Sequence, residues 1–243
     1  MRGLITICML LLTLGSFGQN NNSWKNRKPS NSYWQQDVGY TIKAKIDEKN
    51  LTVAGDVELI YTNNSVDSLT EVYFHVYQNA FQKGSYYHNL QIENGRKPWY
   101  GLYENKGLGT ALDSIDCSKG IDSVILDNTL IKVLLKKAIL PHESVVFNLD
   151  FKTYWGSGST RRRMKAYYVE GKFVHFNGAH WYPRMAVYDQ KFGWNTNQHL
   201  DKEFYGDFGT FDVELDFAND YIVEATGQLM NENKVLPQSL KDS

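Results

Sequence analysis

Apolar residues recur at every second position through segment after segment of this chain. Tyr40, Ile42, Ala44 and Ile46 alternate with polar neighbours, as do Val53, Val57, Leu59 and Tyr61 with a break at Gly55. Leu69, Val72, Phe74 and Val76 follow, and far downstream Phe211, Val213, Leu215 and Phe217 repeat the pattern. A period of two sends successive side chains to opposite faces of a strand. One face is then buried and the other wet, which is the signature of antiparallel sheets. Further strands are expected at 123–126, 130–135 and 144–154. A hairpin is expected where Asn219-Asp220 turns the chain into 221–226. Helical periodicity is nearly absent. The polar stretch 82–120, with Gly84, Gly95, Gly101, Gly107 and Gly109 along it, reads as a surface excursion with one short helix near 109–113. The expected fold class is all-β: a large, mostly antiparallel β-sandwich or saddle.

A chain of 243 residues buries roughly 70% of its unfolded surface and needs no covalent staples. Its 26 basic and 27 acidic residues are well mixed, so no nucleic-acid or anionic-membrane partner is expected. The first 18 residues read as an export signal: Arg2, a short apolar run, then Ser16-Phe17-Gly18 before a cleavage site at Gln19. That run falls short of the ~20 residues that span a bilayer, so no transmembrane segment is expected after cleavage. The product is expected in the periplasm, at the cell surface or in the medium. Residues 19–32 form a flexible polar lead, 33–230 the β domain, and 231–243 a linker or the start of a next segment. Signal removal leaves Cys117 as the one cysteine, a half-buried small residue that has no disulfide partner within the chain.

Few residue groups offer chemistry. His142-Glu143 is followed by Ser144, Val145 and Val146, with no second His one helical turn on, and reads as a turn after Pro141. His175, His180 and His199 lack a carboxylate at ligand spacing and read as members of an aromatic cluster. Arg161-Arg162-Arg163, after the flexible GSGS at 156–159, reads as a solvated charge run.

The most individual stretch runs from Gly178 to Gly227. It opens with GAHWYPRMAVYD and closes with GTFDVELDFANDYIVEATG. With WYPRMAVYD, FGWNTNQHLDKEFYGDFGTFDVEL and YIVEATG in that order, and weaker echoes at 40–65 and 69–81, the chain resembles the N-terminal domain of aminopeptidase N-like zinc metallopeptidases of secreted bacterial type. The resemblance covers most of 33–230. It implies a saddle-like β domain whose catalytic partner domain, in cis, holds zinc and removes N-terminal residues from peptide substrates. The H-E-x-x-H and G-x-M-E-N motifs that carry that chemistry are absent from this chain. No cofactor is therefore expected on it, zinc is expected in the full-length enzyme, and this chain alone is expected to be inactive. The resemblance also places Asn177, Gly178 and His175 beside the substrate's free amine. Asn177 stands where a longer acid or amide is usual, and the alternative for Asn177-Gly178 is a tight turn.

Trp181, Tyr182, Tyr188, Phe192, Trp194, Phe204, Tyr205 and Phe208 make the densest aromatic zone. Two readings stand. Trp181, Pro183, Arg184, Tyr188, Asp189, Trp194 and Asp207 form a core or domain-interface cluster, with Arg184 paired to Asp189 or Asp207. Alternatively the aromatics are a stacking platform on a free-standing exported β-sandwich that binds glycans or peptides.

Overall fold

The computed structural model describes residues 33–159, 163–200 and 205–241. The expected signal peptide, the lead at 19–32, Arg161, Arg162 and Phe204 lie outside the described residues. Period-two alternation becomes two sheets around one core. The first sheet runs in the order β13-β1-β2-β7-β4, with β1 at Asp37–Asp47, β2 at Thr52–Thr62, β4 at Thr110–Cys117, β7 at Ser144–Tyr154 and β13 at Gly209–Asp216. The second runs β10-β3-β6-β5, with β3 at Leu69–His75, β5 at Ile121–Asp127, β6 at Leu130–Ile139 and the two-residue β10 at Arg184–Met185. Burial alternates residue by residue along β1, β2 and β7. Tyr61, Phe74, Phe147, Phe151 and Leu59 fill the space between the sheets. The domain is all-β and mostly antiparallel. The exception is β13, which lies parallel to β1 with Tyr40 opposite Phe211.

Gly55 does not break β2. It sits on the core side opposite Ala44 and Phe151, where an added Cβ would stand 2.9 Å from both the Lys43 carbonyl oxygen and the Phe151 ring. The glycine makes room for that ring.

Two expectations are corrected. No helix forms at 109–113; that segment enters β4, an edge strand antiparallel to β7. A register shift between Leu112 and Ser114 moves the inward positions from Thr110 and Leu112 to Ile115 and Cys117, so the alternation changes phase and hides the strand. The helices of this excursion are α1 at Tyr86–Glu93 and α2 at Leu102–Asn105. Ser85 caps α1 by accepting the His88 N–H at 3.0 Å. Nor does 221–226 form a strand: Tyr221 N–H closes a turn onto the Ala218 carbonyl, and its ring packs against Phe176 and Phe217.

His142-Glu143 makes the turn into β7. His142 has φ 61°, and the Glu143 carboxylate meets Lys119 and accepts the Leu140 N–H. Cys117 is buried rather than half-buried, and burial pushes its thiol pKa up, so it is a packing residue. Among the described residues no helix is long and apolar enough to cross a membrane.

Candidate functional site

The described parts of the stretch after β7, residues 155–159 and 163–200, hold many of the resemblance-bearing residues. The start of this stretch is tied down by a buried carboxylate: Glu104, on α2, accepts the Gly158 N–H at 2.8 Å. Gly156 then exchanges hydrogen bonds with Met164 and Ala166. These lead into a hairpin, β8 at Met164–Val169 and β9 at Lys172–Gly178, which turns at Glu170-Gly171 with both φ positive. Asn177 and Gly178 are the last residues of β9, opposite Lys165 and Met164. They are therefore not a tight turn; the chain bends two residues later at His180, φ 54°. The Asn177 carbonyl accepts the Trp155 indole N–H at 3.3 Å, while its side chain lies at the surface. A Cβ on Gly178 would meet Trp155 and Trp181 at ordinary contact distance, so nothing steric demands glycine there. His175 is exposed and packs on Tyr167.

The three histidines part company. His180 and His199 both meet the ring of Tyr77 edge-on, and His75 stacks flat on it at 5.0 Å. His175 is not among them. His75, at the end of β3, was not singled out by sequence: a histidine closing an alternating strand carries no pattern of its own. Its Nε2 lies 3.1 Å from the Asn195 carbonyl oxygen. Desolvation holds both His75 and His180 at a pKa of about 4, with the Arg184 charge pushing the same way. Among the described residues no group of three His, Cys, Asp or Glu converges as a metal ion would require.

The bend that follows is pinned to both sheets. Arg184 and Met185 pair with His75 and Phe74 of β3, and Ala186 donates to the Tyr73 carbonyl. Met185 N–H also donates to the Tyr40 hydroxyl on β1 at 2.9 Å. Tyr188-Asp189 (β11) pairs with Gly193-Trp194 (β12), and Asp189 Oδ1 accepts the N–H groups of Lys191 and Phe192. The other Asp189 oxygen takes the hydroxyls of Tyr33 and Tyr205. Arg184 donates to the main-chain carbonyl of Asp207 at 2.9 Å, and no ion pair joins it to either candidate carboxylate. That corrects the expected pairing: Asp189 is engaged by turn amides and two phenols, and Arg184 holds backbone. Asp207 is pushed up to about pKa 6 by burial, then by the nearby Asp189 charge, with Arg184 opposing.

Among the described aromatics of the zone, Trp181, Tyr182, Tyr188 and Trp194 pack inward. Trp194 lies against Tyr61, Tyr73 and Tyr188, and Trp181 against Phe151 and Tyr182, all at the edge of the core. Pro183 is buried between Tyr182 and Arg184 in sequence. Phe192 and Phe208 face outward, Phe208 at 96% exposure, while Tyr205 is partly exposed with its hydroxyl on Asp189.

No protein-family model matches the chain, and no curated protein matches it. Among solved structures, an M1 zinc metallopeptidase from Deinococcus radiodurans aligns at 12% identity and TM-score 0.32, over 49% of this chain and 21% of that one. A mutant of the Deinococcus radiodurans enzyme aligns at 12% identity and TM-score 0.33, over 60% of this chain and 24% of that one. A two-domain M1 zinc metallopeptidase mutant bound to L-tryptophan aligns at 12% identity and TM-score 0.32. The chain thus spans less than a quarter of the length of these structures.

Proposed function

We propose that this chain is the non-catalytic N-terminal β domain of an exported zinc-dependent aminopeptidase. The observation that carries the reading is the ordered set of segments from WYPRMAVYD to YIVEATG. Its opening part, Trp181 to Asp189, forms a bend tied to β1 and β3. In this reading the β9 end presents Asn177 and Gly178 toward the peptide's free amine, with His175 two residues before. The bend residues Pro183, Arg184, Tyr188, Asp189, Trp194 and Asp207 keep that end in place, and Trp181 packs beside Gly178. The catalytic domain in cis supplies zinc and the general base. An asparagine amide oxygen can accept a hydrogen bond from an ammonium, at shorter reach than a glutamate.

The test is to translate the reading frame downstream of the Ser243 codon and to assay both products. The expected result is an H-E-x-x-H motif with a later Glu, zinc-dependent release of amino acids by the long product, and none by this chain alone. Amino-acid release by the pure short chain, or a long product without the motif, overturns the reading.

A further inference from the structure

Among the described residues the two sheets end in four edges with no further strand, β13, β4, β10 and β5, and an unpaired edge is a template for a foreign strand unless it is blunted. Three of them are blunted. Asp212, Glu214 and Asp216 stud β13, a register shift with Asp113 and Asp116 interrupts β4, and β10 is two residues long. The fourth is different. Beyond a register shift at its start, β5 presents Val124, Ile125 and Leu126 in succession, at 44, 51 and 60% exposure. Val124 and Leu126 share the face of Val133 and Ile131, which are core residues, so the apolar inner surface extends past its cover. Ile125 shares the opposite face with Lys132, whose ammonium is already engaged by Glu71 at 2.6 Å. An open edge that is apolar on both faces is a surface for strand addition.

The ends of the edge select the occupant. Asp122 and Asp127 bracket the apolar run. A second copy adding antiparallel with its Val124 opposite Ile125 would set Asp122 against Asp127 at both ends, and like charges directly opposite are destabilising. The same bracket favours an incoming strand with basic termini. Asp127 is held in place by the Tyr86 hydroxyl at 2.6 Å and by the Gln198 amide at 3.1 Å, both neutral donors that leave its charge unpaired.

We propose that the β5 edge receives an extended segment of a partner protein, apolar in its middle and carrying Lys or Arg at both ends, as an added antiparallel strand. The probe is a fluorescein-labelled, end-blocked hexapeptide, Lys-Thr-Val-Ile-Val-Lys, titrated against the chain by anisotropy. A matching peptide with Glu at both ends serves as control. The expected result is saturable binding of the lysine peptide, at least about fivefold tighter than the glutamate peptide at low salt. Amides 123–127 should gain hydrogen-exchange protection on binding. Asp122→Lys should narrow the preference between the two peptides, and Ile125→Thr with Leu126→Thr should weaken both. These exposed positions leave the core intact, and the circular-dichroism melt checks that it is. No binding, equal affinity for the two peptides, or protection elsewhere than β5 overturns the proposal. So does a concentration-dependent dimer that Ile125→Lys dissociates, which would make the occupant a second copy.

Discussion

The hydroxyl of Tyr40 accepts the main-chain N–H of Met185 at 2.9 Å across 145 residues of sequence, and both groups are buried. Its ring also stacks on Phe211 with centroids 4.8 Å apart and planes 4° from parallel. One side chain on β1 thus fastens the bend on one side and β13 on the other. Burial raises its phenol pKa, so it stays neutral.

Tyr40→Phe keeps the stacking and leaves the Met185 amide without its acceptor. The expected loss is about 1–3 kcal/mol, read as a lower urea midpoint with an unchanged far-ultraviolet spectrum. An unchanged midpoint would show that the bend is held without this bond.

His75 is neutral in the fold because its pKa lies near 4 rather than 6.5. The unfolded chain takes up the proton first. Stability is therefore fully present above about 6.5 and is lost as pH falls toward 4, a span worth about 3 kcal/mol for this residue. Urea midpoints measured at about pH 7.5 and about pH 4.5 should show the decline. His75→Gln should shrink the decline and leave the share that His180, held near 4 by the same desolvation, contributes; an equal decline in the variant counts against this origin.

Asp207 acts with the opposite sign. Its folded pKa of about 6 exceeds the ordinary 3.8, so its contribution is present below the lower value and lost as pH rises through the upper. Asp207→Asn should gain about 1 kcal/mol near neutral pH and nothing at about pH 3.5. Thermal melts at both pH values decide.

Gly55→Ala would press a methyl group against Phe151 and the Lys43 carbonyl. A cost of about 1–3 kcal/mol is expected, seen as a lower Tm. A neutral outcome would mean that β2 can move away from the ring.

Trp194→Ala and Phe208→Ala separate the packing aromatics from the outward ones. Trp194 touches three rings, Tyr61, Tyr73 and Tyr188, and its loss should cost about 3–5 kcal/mol. Phe208→Ala should leave the melting curve within about 0.5 kcal/mol of the parent. If an oligosaccharide or peptide array binds the parent and Phe208→Ala loses that signal while staying folded, the glycan- or peptide-binding reading gains over the aminopeptidase one.

Strands β1, β2 and β7 were legible because each buries one face completely, which writes a period of two into the residues. β4 was not, since its register shift changes the phase of that period midway. α1 escaped notice because YYHNLQIE has no apolar stripe at helical spacing; its start is set by the Ser85 cap instead. The density of aromatics from Trp181 to Phe208 drew attention to the bend, but not to how it is fastened: no local rule links Arg184 to the carbonyl of Asp207, or His75 to Asn195. The parallel partnership of β1 and β13 was equally hidden, because alternation names a strand and not its neighbour.

That partnership bears on the order in which the molecule assembles. Val38 to Lys45 pair with Gly209 to Asp216, so the sheet's last hydrogen-bonded ladder closes a very long loop. Chain-closure entropy must be met before such distant contacts give any return. During synthesis, β2 can zip onto β1 and β7 onto β2 while the ribosome is still reading the bend, but the outer flank of β1 stays bare until Asp216 has emerged. Through that interval Tyr40, Ile42 and Ala44 lack their companions Phe211, Val213 and Leu215, and a chaperone arriving then would find its binding site on the first strand made.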